Sequence, residues 1–380
     1  MRAILVALAL PLAACSGAPS EPGVTATRVL EITGLQPVVN AVALSPNGSL
    51  VVVGDFDDDL IAREVPSGAE RWKVRVQPGR ERRRIDGVFF SPDASLVVTT
   101  GHEAQTLEVW DAATGRSVAV LDIARSRGVA FHPSERVLAV AGAATIHVVD
   151  VDRGHVVRTL PNAHAGDAIF AIAFSADGQT LATVSGEGSL KLWNWPALVL
   201  RSSTTLSGGL EAMSPVSLAL TRHGTRAASN GIYGRVHVVD TAKGREERVF
   251  ANVAQAPNHG MHAELRYSLA FTDDGNWLFA PDSHDRGLRI LHVPSGKTYP
   301  VLQGEGPFYK AVALALPASM VAFLRPGDDQ GRGPYGLDLW RLNLPGDAAM
   351  SQDAASGPAP RLLQSRARFM AAVIRQTSTA

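Results

Sequence analysis

The cluster with the clearest potential for chemistry is a His-x-x-His motif followed by an acid. It comprises His259, His262 and Glu264, within the segment AQAPNHGMHAE. Two imidazoles and a carboxylate can bind Zn²⁺ and leave an open position for a catalytic water. The segment is typical of a surface loop, however, and loop ligands bind a metal weakly unless neighbouring groups orient them. We expect a solvated loop without a metal or other cofactor, and a zinc site is the alternative.

The rest of the sequence offers little for catalysis. It contains no Gly-x-Ser-x-Gly nucleophile motif and no complete Gly-x-x-x-x-Gly-Lys-Ser/Thr phosphate loop. Basic and acidic residues number 36 each, so the formal net charge is zero, whereas a nucleic-acid-binding domain is usually basic. We therefore expect neither an enzyme nor a nucleic-acid partner. The hydrophobic fraction of 46% is enough for a large folded core.

The single cysteine, Cys15, ends an apolar N-terminal segment. Arg2 precedes residues 3–12, which are apolar but too few to span a bilayer. The tetrapeptide Leu-Ala-Ala-Cys that ends at Cys15 resembles the lipobox of bacterial lipoproteins. This resemblance implies a signal peptide over residues 1–14, cleavage before Cys15 and lipidation of its thiol. An ordinary secretory signal with an incidental cysteine is the alternative.

Residues 15–25 form a short tether that is rich in small residues, proline and glycine. By the sorting pattern of enterobacterial lipoproteins, Ser16 favours the outer membrane. The resemblance therefore implies a lipid-anchored, periplasm-facing protein of the bacterial cell envelope, with the outer membrane favoured. Several acyl chains would hold it durably, because each buried methylene adds about 0.8 kcal/mol of membrane affinity.

Seven similar units follow one another along the chain. Six of their first turns lie about 41 to 51 residues apart, at Pro46, Pro92, Pro133, Ala176, Arg222 and Asp273. Each unit alternates short apolar runs with Ser-Pro, Asp-Gly or Thr-Gly turns, which predicts four antiparallel strands per unit. Such units bury both faces by stacking around an axis. The sequence therefore predicts an all-β, seven-bladed propeller of four-stranded antiparallel blades.

The third strand of the second unit ends with the dipeptide Trp110-Asp111, and the fourth unit carries the fullest set of polar and aromatic markers. On these residues the chain resembles the WD-repeat (WD40) β-propeller family over residues 26–344. The resemblance implies a structural hydrogen-bond network of His164, Ser185, Glu187 and Trp193. Glu187 stands where the family usually has aspartate.

The seventh unit lacks a fourth strand, because the chain turns polar after Asn343. The segment 28–32 before the first unit resembles the fourth strands of the other units. We therefore expect the N-terminal strand to close the last blade, so that the ring has no open edge.

Residues 345–380 are predicted to lie outside the ring as a linker and a basic amphipathic tail. Leu362, Phe369 and Val373 fall on one helical stripe, with arginines around it. Such a helix binds an anionic membrane or a partner, or it packs on the propeller as a structural element. Both interpretations remain open.

A position six residues before the first turn of each unit is mostly polar or aromatic. Its members are Asn40, Asp86, Arg127, Phe170, Val216, Tyr267 and Lys310. Because the first strand of each blade lines the central channel, we expect these residues to surround the channel mouth. One interpretation is that these residues form a ring that binds a partner. The alternative is that they are polar only because they are exposed to water.

These features predict a non-enzymatic interaction platform. A monomeric propeller would bind a protein or peptide of the cell envelope through its loop face. Two alternatives remain: an envelope hydrolase or lactonase with a metal on the loop face, and a binder or sensor of a small molecule in the central funnel.

Overall fold

The computed structural model describes residues 24–35, 39–55, 57–76, 85–101, 106–207, 217–231, 233–255, 266–282, 287–303, 311–325 and 335–343. These residues form seven sheets and a single short 3-10 turn, Leu316–Ala318. The predicted signal peptide, the lipidation site Cys15 and the C-terminal tail 345–380 lie outside the described residues.

The strands divide into blades of four in chain order. Strand β1 (Thr25–Leu35) belongs to the last blade. Blade one contains β2 (Val39–Leu44), β3 (Leu50–Asp55), β4 (Asp59–Glu64) and β5 (Glu70–Arg75). Blade two contains β6 (Gly87–Phe90), β7 (Leu96–Thr100), β8 (Leu107–Asp111) and β9 (Ser117–Leu121). Blade three contains β10 (Ser126–Phe131), β11 (Val137–Gly142), β12 (Thr145–Asp150) and β13 (His155–Leu160).

The second half of the ring continues this order. Blade four contains β14 (Ile169–Phe174), β15 (Thr180–Ser185), β16 (Ser189–Asn194) and β17 (Val199–Thr205). Blade five contains β18 (Ser217–Leu220), β19 (Arg226–Asn230), β20 (Tyr233–Asp240) and β21 (Arg245–Gln255). Blade six contains β23 (Ala270–Phe271), β24 (Trp277–Asp282), β25 (Gly287–His292) and β26 (Lys297–Gln303), and the short strand β22 (Arg266–Tyr267) precedes it along the chain. Blade seven contains β27 (Ala311–Ala315), β28 (Met320–Arg325) and β29 (Tyr335–Asn343), and β1 completes it.

The first strands of successive blades contact one another around a common axis. Seven buried apolar clusters fill the spaces between neighbouring blades. Between blades three and four, for example, Val148 packs in one cluster with Leu181 and Trp193. The core is therefore a ring of sheet-on-sheet contacts, which confirms the all-β, seven-bladed propeller.

The N-terminal strand closes the ring as expected. Strand β1 pairs antiparallel with β29, from Thr25 opposite Asn343 to Leu35 opposite Tyr335. Charged side chains reinforce this pairing: Arg325 donates to Asp338 and to Glu31, which lies 294 residues away in sequence. The two ends of the described chain thus meet in one sheet.

The turn after each inner strand explains why the Ser-x-Asp-Gly pattern recurs. In blade four, Ser175 Oγ donates to Asp177 Oδ1 at 2.6 Å, and the same oxygen accepts the N–H of Gln179. Gly178 follows with a φ of +71°, which favours glycine. A methyl group on Gly178 would also lie 2.4 Å from His132 Nε2 in blade three. The glycine therefore serves both the turn and the contact between blades.

Blade six departs from the regular pattern. Its inner strand is divided: β23 pairs with β24, but β22 pairs in parallel with β27 of blade seven. Continuing the β23–β24 register would place Ser268 opposite Pro281, which has no N–H to donate. Ser268 instead donates its N–H to the carbonyl of Val312 at 3.2 Å. A continued β23–β24 ladder would lack the hydrogen bond that Pro281 cannot donate, and the strand pairs with blade seven at this level instead.

Candidate interaction face

The loop face is the end of the propeller at which each inner strand begins. Two kinds of loop lie there: those that join the second and third strands of a blade, and those that lead from an outer strand to the next blade. Three members of the predicted ring, Asn40, Arg127 and Phe170, stand at β-bulges, where the pairing of the inner strand skips one residue. A bulge changes the direction of a side chain and is frequent near functional sites.

The residue after each ring position is small in every unit: Ala41, Gly87, Gly128, Ala171, Ser217, Ser268 and Ala311. A methyl group on Gly128 would lie 3.1 Å from Ile172 Cγ2 and 3.3 Å from Ala171 Cα in the neighbouring blade. Neighbouring inner strands therefore approach each other closely at this level. The small residue makes this close approach possible. The ring position before it is occupied by a different type of residue in each blade.

The ring members differ in their surroundings. Asp86 is 1% exposed, and its N–H donates to the carbonyl of Thr100, so this position is buried rather than open to water. Tyr267 belongs to β22, and the backbones of Asn40 and Tyr267 are described but their side chains are not. Val216 and Lys310 lie outside the described residues.

Arg127 and Phe170 come together at the boundary of blades three and four. The guanidinium carbon of Arg127 lies 4.5 Å from the centre of the Phe170 ring, which is a cation–π contact. Both side chains are partly buried. A methyl group on Gly186 would lie 2.8 Å from Phe170 Cε2. The phenylalanine ring therefore contacts Arg127 and also lies close to a glycine.

The polar network of blade four is centred on Thr183. Its Oγ1 accepts the indole N–H of Trp193 at 2.9 Å and lies 2.8 Å from His164 Nε2. Burial, with a smaller contribution from the charge of Lys191, lowers the pKa of His164 to about 4. The histidine is therefore neutral at physiological pH and has a structural role here rather than that of a base.

Two members of the predicted network, Ser185 and Glu187, do not take part in these hydrogen bonds. Ser185 lies two residues further along the same face of β15, where its Oγ accepts the N–H of Ser189 at 3.3 Å. Glu187 is exposed, and its backbone N–H donates to Asp167. Since residues two apart share a face of a strand, the sequence spacing alone does not distinguish Thr183 from Ser185.

Blade two repeats the core of this network. The indole N–H of Trp110 donates to Thr99 Oγ1 at 3.1 Å. Asp111 Oδ1 accepts both the N–H and the hydroxyl of Thr114, at 2.8 and 2.7 Å. These bonds from Thr114 lower the pKa of Asp111 and fix the turn into the outer strand. The Trp-Asp dipeptide thus joins a buried hydrogen bond to a turn.

The comparisons with known proteins agree with this geometry. The model of the WD domain, G-beta repeat, matches residues 154–194, which end at the third strand of blade four. This match and the seven-bladed fold support the WD40 β-propeller family. The chain is 26% identical over 163 residues to cross-pathway control WD-repeat protein 2 of Flammulina velutipes, covering 41% of this chain and 51% of that protein. The same identity and length hold for small ribosomal subunit protein RACK1y of Oryza sativa, of which 47% is covered.

A longer match is to telomerase protein component 1 of Mus musculus, at 24% identity over 294 residues. It covers 76% of this chain but 10% of the mouse protein. The WD40 propeller thus spans about half or less of the relatives it matches.

Histidine 132 is a structural residue of this WD40 propeller that the sequence analysis missed. It replaces the turn serine of blades one, two and four, and its Nδ1 accepts the N–H groups of Ser134 and Glu135. Its Nε2 must then carry the proton, and it donates to the carbonyl of Gly178 at 3.1 Å. Burial lowers the pKa of His132 to about 4. The exchange of serine for histidine before Pro133 was the available sequence clue.

The candidate metal ligands His259, His262 and Glu264 lie outside the described residues. Within the part of the chain that the structure describes, no group of three or more His, Cys, Asp or Glu side chains is placed to hold a metal ion. Among the same residues, no helix has the length and hydrophobicity needed to cross a membrane.

Proposed function

We propose that this WD40 propeller is a non-enzymatic platform that binds a protein or peptide partner at the loop face. The observation that carries the proposal is the Arg127–Phe170 contact. It joins two blades at the channel mouth through two residues that stand at β-bulges. Arginine and aromatic side chains dominate the energetically important contacts of protein interfaces.

The backbone conformation of the loops around this pair also favours the loop face as the binding surface. Arg125, Ala143, Asn162 and Ala165 have φ values of +55°, +49°, +52° and +52°. These residues lie in the loops that flank Arg127 and Phe170. Left-handed conformations cost energy in residues other than glycine and concentrate at functional sites. The loops of blades three and four are therefore the best candidate for a preformed binding surface.

The location of the platform is proposed from the N-terminal sequence. A lipid on Cys15 would tether the propeller to a bacterial envelope membrane, facing the periplasm, with the outer membrane favoured. A Cys15→Ala variant should then leave the membrane fraction after a salt and carbonate wash. Retention of that variant with membranes would exclude lipid anchoring as the attachment.

Cross-linking capture from membranes tests the binding face. The double variant Arg127→Ala with Tyr267→Ala should lose the cross-linked complexes that the parent forms. Truncation of an arginine or tyrosine anchor typically weakens an interface by about 2 kcal/mol or more. The control is Arg153→Ala, a residue with 53% side-chain exposure in the turn between β12 and β13. Unchanged capture by a double variant with parental circular dichroism would exclude the channel mouth as the binding site.

A further inference from the structure

We infer that the outer edge of blade two is a dimerisation surface, at which β9 (Ser117–Leu121) pairs antiparallel with β9 of a second copy of the chain. Strand β9 is the last strand in the order β6-β7-β8-β9, so its outer edge lies at the perimeter of the ring. This surface is separate from the channel mouth of the proposed function. A dimer would replace the monomer that is expected from the sequence.

Among the outer strands of the described blades, β9 alone has no Lys, Arg, Asp or Glu; its sequence is SVAVL. Each of the other outer strands carries at least one such residue: Arg28 in β1, Lys73 in β5, Arg158 in β13, Arg201 in β17, Arg248 in β21 and Lys297 in β26. An open strand edge pairs readily with another strand, and charged side chains on the edge oppose this. The edge of β9 therefore lacks a protection that the other outer edges have.

The side chains that β9 exposes are mostly apolar. Val118 and Val120 are 52% and 55% exposed. Ala119 and Leu121, by contrast, pack in the apolar cluster between blades two and three. The strand is thus anchored by alternate residues, while two valines remain open to water. Covering them removes apolar surface from water, which favours association.

A twofold axis through Ala119 makes this edge complementary to itself. In an antiparallel pair of identical strands centred on that residue, Val118 of each copy lies opposite Val120 of the other. The same centre places Arg116, directly before the strand, opposite Asp122, directly after it. The exposed valines are then covered, and opposite charges meet at both ends of the paired strands.

The two flanking charges are placed to make these contacts. Arg116 and Asp122 are both exposed. Within the described part of the chain, neither side chain forms an ion pair or a hydrogen bond, and Arg116 has only a weaker electrostatic interaction with Asp111. A strand of another protein would need a matching order of charged and apolar residues. A second copy supplies that order by symmetry, which favours it as the occupant.

A bulge at Val118 interrupts the pairing of β9 with β8. The same irregularity occurs between the third and fourth strands of blades one, three, four and five, so it does not distinguish β9 from charged outer strands. Five residues at about 3.4 Å each give an edge of about 17 Å. Since such an interface is small, we expect a weak dimer that depends on protein concentration.

Sedimentation velocity on the full chain in mild detergent, from about 1 μM to about 200 μM, tests for this dimer. The parent should show a reversible monomer–dimer equilibrium. Val120→Lys should raise the dissociation constant at least about tenfold, because it places a hydrated charge on the paired edge. The matched control is Val199→Lys, at a valine that is also 55% exposed and begins the outer strand of blade four. This control should dimerise like the parent.

Reversal of the flanking charges tests the register. Arg116→Asp and Asp122→Arg should each weaken the dimer, since each places like charges opposite one another. The double variant restores opposite charges and should dimerise more tightly than either single variant. All variants should keep the circular dichroism spectrum of the parent, because both positions are exposed.

A cysteine at the twofold axis tests the centre of the pairing. Ala119→Cys should form a disulfide-linked dimer on oxidation with diamide, because the two cysteines lie directly opposite each other. The parent, whose single cysteine is Cys15, and Val199→Cys are the controls. Both should give less of the linked dimer than Ala119→Cys.

Several results would overturn the inference. They are a chain that stays monomeric over the whole concentration range, a Val120→Lys variant that dimerises like Val199→Lys, a double charge variant no tighter than the single ones, and an Ala119→Cys chain with no more linked dimer than its controls. A monomeric chain that loses cross-linked complexes only in Val120→Lys would assign the edge to a strand of a different protein. The proposed loop-face platform is tested separately by the Arg127→Ala, Tyr267→Ala variant.

Discussion

Blade four and blade seven complete the same four-stranded sheet in different ways. Blade four is one continuous stretch, and Thr183 ties its second and third strands to His164 through buried hydrogen bonds. Blade seven takes its outer strand from the other end of the chain, and the pairing of β1 with β29 is accompanied by ion pairs. Local hydrogen bonds complete a blade built from neighbouring residues, whereas chain closure requires long-range pairing.

The largest effect should come from removing the strand that closes blade seven. A chain that begins at residue 36 lacks β1 and leaves the outer edge of β29 unpaired. We expect loss of the cooperative unfolding transition and increased aggregation, measured by circular dichroism and light scattering. The control begins at Val24 and retains the whole strand. A truncated chain that melts like this control would show that β1 is not needed for closure.

The corresponding change in blade four is Thr183→Val. This substitution keeps the side-chain shape but leaves the buried Trp193 N–H and His164 without their shared hydroxyl. Each unsatisfied buried group costs about 1–3 kcal/mol, so we expect a loss of roughly 2–5 kcal/mol by urea unfolding. Ser185→Ala should cost less, because its Oγ accepts a single long bond. Equal losses in the two variants would contradict the assignment of Thr183.

Acid should weaken the contacts of blades three and four through His132 and His164. Burial lowers both pKa values to about 4, from an ordinary value of about 6.5. The unfolded chain therefore binds more protons between these pH values. The stability contributed by the neutral histidines is complete above about pH 6.5 and is lost as the pH falls towards 4.

The variant His132→Ser isolates this contribution, since serine occupies the same position in blades one, two and four. We expect a flatter dependence of unfolding free energy on pH, with a difference from the parent of about 3 kcal/mol across the window. The control substitution is His155→Ser, at an exposed site. Identical slopes for the parent and His132→Ser would show that His132 does not titrate differently on unfolding.

The smallest effect should come from the ion pair that spans the closure. Glu31 is 42% exposed and Arg325 is 24% exposed, with 3.1 Å between Oε1 and the guanidinium nitrogen. Exposed pairs contribute about 0.2–1 kcal/mol. A double-mutant cycle with Glu31→Gln and Arg325→Gln should give a coupling energy in that range and a decrease with salt. A much larger coupling would mean that the charges, and not the strand pairing, hold blade seven closed.

Several local features were predictable because they repeat. The turn residues Ser175 and Asp177 recur at intervals of one blade, and their hydrogen bonds are local. The segment 28–32 was predicted as the closing strand from its likeness to other outer strands, and β1 extends beyond it on both sides. The predicted ring was found by counting from the turns, but the bulges at Arg127 and Phe170 were not predicted, since a bulge depends on how the neighbouring strand pairs.

By itself, the sequence determined the number of blades, the strand order and the closure by the N-terminal strand. These follow from the period of the repeat and from alternation within short segments. Only the tertiary structure decided that Thr183 joins His164 to Trp193, that β22 pairs with blade seven, and that Arg127 stacks on Phe170. Each of these contacts depends on distances across strands or between blades. Sequence periodicity locates the contacting residues only to within one or two positions.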